Sequence, residues 1–371
     1  MTKRWIWVLG VLAATGCAAQ EAPQPEAPPP APAPLPPPEP VAAAPEPPPP
    51  APPEPKLKLS VFTSSPEGFL VTSTLVSGAT DAVLIDAQFT LGDAKKLAEM
   101  VKASGKKLTT VYVTHSHPDH YFGFGPLKEA FPDAKLVALP ATIAEIQKTW
   151  AAKVKQWKPI YKDAITAKPV VPEPLTATSL ELDGEKLEIV AGVQGDEAQS
   201  SYVWIPSLGA VIASDTVYDD VFPWTAETTP EQRKAWAATL DGIQARAPKL
   251  VVPGHQKPEG TQNPGNVQFT KDYLAAFDET VAGSKNAGEV QTKLKAKYPT
   301  AGLDIILKIG SEAAFKKGAP KPATKAPTEP TAAKAPAAPK TPAAPKAEPT
   351  AAKAPAPAAK APAAAAPAPA K

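Results

Sequence analysis

The sequence predicts an α/β domain in which two sheets pack together with helices outside, set between two proline-rich flanks. Three observations carry this. Short β-patterned runs fall into two clusters along the chain, each followed by helical patterns. Of the 50 prolines in 371 residues, 19 lie in 18–56 and 14 in 319–371. The four histidines fall in two places, three of them within His115 to His120 and the last at His255, each place directly after a predicted strand.

The first strand cluster covers 57–86, where Phe69 to Val76 and Ala82 to Ile85 alternate and then run apolar up to Asp86. A helix is expected from about Asp93 to Ala103, with Leu97, Met100 and Val101 on one face. The next strand, Leu108 to Val113, delivers the chain into Thr114-His115-Ser116-His117-Pro118-Asp119-His120. A short helix near Pro126 to Ala130, a strand at Lys135 to Leu139 and a helix from Ala141 to about Gln156 follow. The proline-rich stretch 157–178 reads as an irregular excursion over the site. Strands resume at Ser179 to Leu182, Lys186 to Val190, Ser201 to Ile205 and Ala210 to Ala213. Thr229-Pro230 opens a helix to about Ala245, Leu250 to Val252 forms a strand ending at Pro253-Gly254-His255, and the remainder to 318 is helical in pattern.

Composition divides the chain at 1–17, 18–56, 57–318 and 319–371. The segments 18–56 and 319–371 lack the apolar residues that offset the entropy of ordering a chain, so both are expected to be disordered. The first carries Glu21, Glu26, Glu39, Glu46 and Glu54, and the second carries eight lysines against Glu329 and Glu348. Between them, 28 basic residues face 30 acidic ones, a balance that leaves no electrostatic footprint for nucleic acid. The amino terminus has Lys3 and Arg4, an apolar run from Trp5 to Ala14 too short to span a bilayer, and small residues leading to Cys17, the single cysteine. Ala14-Thr15-Gly16-Cys17 resembles the bacterial lipoprotein cleavage box, which implies lipidation of Cys17 and a membrane anchor. Ala18 is not the aspartate that retains many lipoproteins at the inner membrane, so the expected location is the cell envelope, at the outer membrane or facing the periplasm. A proline-rich 18–56 segment would reach up to roughly 120 Å from the anchor. The lysine-bearing tail is expected either to associate with anionic envelope polymer or merely to aid solubility.

Three histidines in six residues exceed what scattered core or surface histidines would give. In His-x-His-x-Asp-His after a strand, the i and i+2 imidazoles can converge on one cation and the Asp-His pair can turn toward a second. Thr114 to His120 matches the central motif of the metallo-β-lactamase-fold hydrolases, a superfamily this sequence resembles over about 57–260. Val83-Leu84-Ile85-Asp86 matches the family's earlier strand with its structural aspartate, Ser214-Asp215-Thr216 the aspartate that bridges two metals in glyoxalase II and lactonase-like members, and Pro253-Gly254-His255 the closing histidine. The resemblance implies an αββα sandwich holding two divalent metal ions. Zn²⁺ is the first expectation, with Mn²⁺ or Fe²⁺ as alternatives. His115 and His117 would bind one ion, Asp119, His120 and His255 the other, and Asp215 both.

One position departs from the family. Val193-Gln194-Gly195-Asp196 stands where many members have Gly-x-Gly-His, which puts Asp196 in place of a histidine ligand. With three carboxylates, one hydroxide and two divalent cations the site would be formally neutral, and a less positive centre should tolerate harder ions. The other reading is that Asp196 only caps its loop. Tyr218 and Trp224, three and nine positions after Asp215, are candidates for contact with a small-molecule substrate. Tyr121, Phe122 and Phe124 are more readily core, and Lys257 is a surface lysine or a receiver of an anionic group.

The expected chemistry is hydrolysis, with a metal-bound hydroxide attacking an ester, thioester, lactone or amide carbonyl and Asp119 acting as catalytic residue and ligand. A β-lactam is possible, although zinc β-lactamases commonly have His where Asp196 stands. Two other readings remain: a mononuclear iron oxygenase of the same fold acting on sulfur compounds, which would hold one iron, and a non-enzymatic envelope scaffold, which would survive chelation unchanged.

Overall fold

The structure, a computed structural model, describes residues 56–316. Cys17, the lipoprotein signal, most of the 18–56 segment and the 319–371 tail lie outside the described residues. No helix among those described is long and apolar enough to cross a membrane.

Two sheets form the centre of the domain. The first is six-stranded, in the order β1 (Lys58–Thr63), β2 (Thr72–Ser77), β3 (Asp81–Ile85), β4 (Lys107–Val113), β5 (Lys135–Ala138) and β6 (Glu173–Pro174). β1 to β3 pair antiparallel, and β3 to β6 pair parallel. Parallel neighbours need a crossover, and α1 (Leu91–Ala103) and α2 (Phe124–Ala130) supply the ones on either side of β4. The second sheet is five-stranded: β7 (Ser179–Leu182), β8 (Glu185–Val193), β9 (Ser200–Ile205), β10 (Ala210–Asp219) and β11 (Leu250–Gln256), with only β10 and β11 parallel, joined through α4 (Pro230–Ala245).

Strand alternation explains the layering. In β3, Val83 and Ile85 face the second sheet, packing with Ile189, Val203 and Ile212, while Ala82 and Leu84 turn to the helices of the first face. In β10, Ala210 and Ile212 point into the space between the sheets, and Val211 and Ala213 pack outward with Trp236, Leu240 and Ile243 of α4. The result is the αββα sandwich. α1, α2 and α3 (Pro140–Tyr161) cover one face; α4 and α5 (Gly265–Ala282) cover the other, where α5 also packs with α6 (Ala287–Lys297) and α7 (Asp304–Ala314).

Local signals set several element ends. Thr90 caps α1 by accepting from the Asp93 N–H at 3.0 Å. Thr229 and Gln232 form a reciprocal capping box at α4, with Pro230 in the first turn. The structure also corrects three expectations. Phe69 and Leu70 are left-handed residues after a short 3-10 turn rather than part of β2, which starts at Thr72. Helix α3 does not stop near Gln156 but continues through Pro159 to Tyr161, because Trp157 and Tyr161 pack edge-on against Phe89, at 5.9 and 4.8 Å between ring centroids. Pro159 costs the helix the N–H that would donate to the Lys155 carbonyl, and the helix ends two residues later. Strand β10 extends past Ala213 to Asp219, since the polar residues from Ser214 onward keep their pairing with β11 across two irregularities of register.

Candidate metal centre

The site lies where β3, β4, β10 and β11 end, and each donor is placed there by a local backbone feature. Asp86 follows β3 with φ 62°, and Ser214 sits at φ 46° within the irregular part of β10, turning Asp215 out of the regular alternation. Gly254 lets β11 approach that point: a Cβ on it would lie 2.0 Å from Asp215 Oδ1 and 2.7 Å from Asp215 N. Pro118 opens a 3-10 turn over Pro118–His120 that carries Asp119 and His120 back toward the sheet.

Two donor groups result. Ligand atoms of His115, His117, Asp196 and Asp215 lie within 4.8 Å of one another, as do those of Asp119, His120 and His255. Asp215 joins them, its Oδ1 standing 3.1 Å from His120 Nε2 and its Oδ2 3.1 Å from His255 Nε2 and 3.7 Å from His115 Nε2. All seven residues named from the sequence therefore meet in one place, Asp196 included, its Oδ2 2.8 Å from His117 Nδ1.

Hydrogen bonds on the far side of each ring fix which nitrogen faces the centre. His120 Nδ1 donates to Asp86 Oδ2 at 3.0 Å, and His255 Nδ1 donates to the Phe69 carbonyl at 2.7 Å, so both rings turn Nε2 inward. His115 Nδ1 stands 3.1 Å from Thr114 Oγ1, again leaving Nε2. His117 is reversed: Nε2 donates to Glu227 Oε2 at 3.1 Å and Nδ1 faces inward. Asp86 also accepts from Thr114 N at 2.8 Å and Ser214 Oγ at 2.9 Å, tying three segments of the site to one buried carboxylate.

These donors fit divalent cations. His115 Nε2, His120 Nε2, Asp196 Oδ1 and Asp215 Oδ1 are buried and make no well-aligned hydrogen bond, although His120 Nε2 and Asp215 Oδ1 stand 3.1 Å apart. Buried polar atoms are rarely left so, and imidazole and carboxylate are the donors that Zn²⁺ and related ions take. Burial lowers the His115 imidazole, and the neighbouring His120 lowers it further, keeping it in the neutral form a ligand requires. Burial also pushes the Asp196 carboxyl up to about 7, opposed by His117 and reinforced by Asp215.

Trp224 lines the pocket in front of these donors, its ring 6.2 Å from that of His117. Tyr218 also lines it but sits deeper, 1% exposed and stacked on His255, donating to Asp215 Oδ2 at 3.0 Å. Tyr121, Phe122 and Phe124 are core. Lys257 is engaged with Asp220 and the Thr300 carbonyl. Three charged residues of the site carried no sequence signal strong enough to single them out. Glu197, next to Asp196, accepts from Ser116 N and Oγ, each at 2.7 Å; Glu227 holds His117; and Lys153 of α3 lines the pocket.

An αββα sandwich with a His/Asp centre of this kind at its strand ends defines a class of dimetal-binding proteins. The family model of the metallo-beta-lactamase superfamily matches residues 66–255, and the chain belongs to that superfamily. A curated relative, the metallo-beta-lactamase type 2 of Bacillus sp. (strain 170), is 26% identical over 178 residues, 47% of this chain and 62% of the relative, so the likeness spans less than two thirds of that protein. Among solved structures, a metallo-beta-lactamase family protein from Thermus thermophilus superposes with a TM-score of 0.52 at 20% identity, over 70% of this chain and 91% of the other. A beta-lactamase domain protein from Burkholderia ambifaria gives 0.50 at 17% identity, over 70% and 85%. These two likenesses speak to the fold.

Proposed function

We propose that the chain is a hydrolase that cleaves an ester, thioester, lactone or amide at a dinuclear centre, with Zn²⁺ as the first candidate ion. The observation that carries this is the pair of donor groups sharing Asp215, with four buried donor atoms lacking any well-aligned hydrogen bond. Two divalent ions held there supply an activated water and a Lewis acid for the carbonyl oxygen. Asp119, half-buried with Oδ2 3.4 Å from His255 Nε2, would help to hold an ion and would accept a hydrogen bond from the water that attacks, orienting it. Tyr218 Oη–H steadies the Asp215 carboxylate, and Trp224 forms a wall for the substrate. The type 2 relative makes a β-lactam one amide to include. Asp119, His120 and His255 together favour two ions over the single iron of an oxygenase.

In this reading the enzyme is an envelope lipoprotein. Cys17 would carry the lipid and the basic tail would touch anionic polymer; Cys17→Ala should move the protein from the membrane pellet to the soluble fraction.

The test is turnover of a lactone, thioester, ester and β-lactam panel by the zinc-loaded full chain. His117→Ala and Asp119→Ala should each reduce turnover at least a hundredfold while circular dichroism stays native. Wild-type turnover in either variant would remove the mechanism.

A further inference from the structure

Lys153, Gln156 and Trp157 occupy positions i, i+3 and i+4 of α3 and so share the helix face that lines the pocket. Lys153 is half-buried, and its one hydrogen bond is a long 3.4 Å contact to the Ser116 carbonyl inside the His-x-His motif. It has no carboxylate within ion-pair distance among the described residues, whereas Lys148 and Lys158 of the same helix pair with Glu145 and Asp163. Its charge is felt at His115, His117 and Glu227, which places the ammonium beside the metal donors. A second donor is also unmatched: the Trp224 indole N–H is shut off from solvent with no acceptor in the protein. Besides its carboxylates and histidines the pocket has apolar lining from Trp157, Leu303 and Ile306.

Glu227 feels the Lys153 charge only from beyond ion-pair distance, and a partly desolvated cation so weakly paired leaves free energy that an anionic ligand would recover. With two divalent cations and a hydroxide bound, Asp119, Asp196 and Asp215 would leave the centre formally neutral, so it would do little to draw an anion. We propose that Lys153 is the specificity-determining residue of this pocket and that the substrate is a small carboxylate-bearing ester, lactone or amide. Its carboxylate would meet Lys153, its acyl carbonyl the metal donors, and its apolar body Trp157, Leu303 and Ile306. This rests on the hydrolase reading for the scissile bond, but not for the anion contact.

The experiment therefore has a kinetic arm and an equilibrium arm, both on the zinc-loaded full chain. In the first, kcat/KM is measured for 4-nitrophenyl hemisuccinate and 4-nitrophenyl acetate. The hemisuccinate-to-acetate ratio should fall about tenfold or more in Lys153→Met and return in part in Lys153→Arg, in keeping with loss of a hydrogen bond to a charged group. An unchanged ratio in Lys153→Met overturns the proposal. In the second, calorimetry compares benzylsuccinate with 4-phenylbutanoate. The dicarboxylate should bind more tightly to the wild type, and this advantage should disappear in Lys153→Met. If no ester is turned over yet that advantage depends on Lys153, the hydrolase reading fails and the anion contact stands; a wild type that binds both ligands equally overturns the anion contact itself.

Discussion

His120 and His255 are held by acceptors that belong to the sandwich, the Asp86 carboxylate and the Phe69 carbonyl, whereas His117 leans on Glu227, an exposed residue at the pocket rim. The two donor groups thus differ in what supports them. Around Asp119, His120 and His255, support comes from buried strand ends, and Asp86 joins β3, β4 and β10 through Thr114, Ser214 and His120. Around His115, His117 and Asp196, it comes partly from loops, through Glu197 and Glu227. A histidine oriented by a buried acceptor cannot turn without breaking core hydrogen bonds; one oriented by a rim carboxylate can be adjusted without disturbing the fold. The centre accordingly has one fixed half and one adjustable half, and Asp196 falls in the adjustable half.

Breaking the fixed half should cost most. Asp86→Ala leaves Thr114 N and His120 Nδ1 without their acceptor inside the protein, and should destabilise by about 3–5 kcal/mol, as removal of one partner of a buried charged network does. Thermal or denaturant unfolding measures it. Equal stability of Asp86→Ala and wild type would erase the distinction between the two halves.

Gly254→Ala tests Asp215, where the two halves meet. The added methyl would collide with Asp215 Oδ1 and with the Ser214–Asp215 backbone, so Asp215 and the bend of β10 must both shift, stability should fall, and bound metal should drop from two ions toward one. Metal analysis alongside circular dichroism reads both.

In the adjustable half, pH is the sharper probe. The Asp196 carboxyl, raised to about 7 in the metal-free protein, must lose its proton to ligate. Protons therefore compete with metal at Asp196 and also at His117, whose imidazole, lowered by burial, is held well above its ordinary value by Asp196 and Glu197, so affinity for the first ion should fall as pH drops from about 8 to about 5. Asp196→Ala should bind that ion more weakly but lose this part of the slope, and Asp196→His should raise zinc occupancy. Metal titrations at several pH values decide it. If both variants match the wild type, Asp196 is not a ligand.

The smallest effect should come from Glu227→Gln. It keeps a hydrogen-bond acceptor for His117 Nε2 but removes the charge, so the first ion should weaken about tenfold, the low end for a residue that orients a ligand, while the second is unaffected. Loss of both ions equally would count against separate support of the two groups.

The sequence made the donors of both halves legible, but not the loop carboxylates that support His117. Strand periodicity located nearly every strand, and the compact His115 to His120 motif gave donors of both halves, because their spacing is local and follows a strand end. Two elements were cut short where pattern and packing disagree. Polar residues after Ala213 hid the rest of β10, and the prolines after Gln156 hid the last turn of α3, which aromatic packing keeps helical. Glu227 stands 110 residues from His117, so only tertiary folding brings them together. Lys153 is one of several lysines on α3, and nothing short of the helix's orientation over the pocket sets it apart.

The most direct test of the account is the metal content of the purified full chain after reconstitution with Zn²⁺, measured with turnover before and after chelation. Two ions per chain, with turnover lost on chelation and restored by adding metal, is the expected result; a single bound ion, or turnover that survives complete removal of metal, would contradict it.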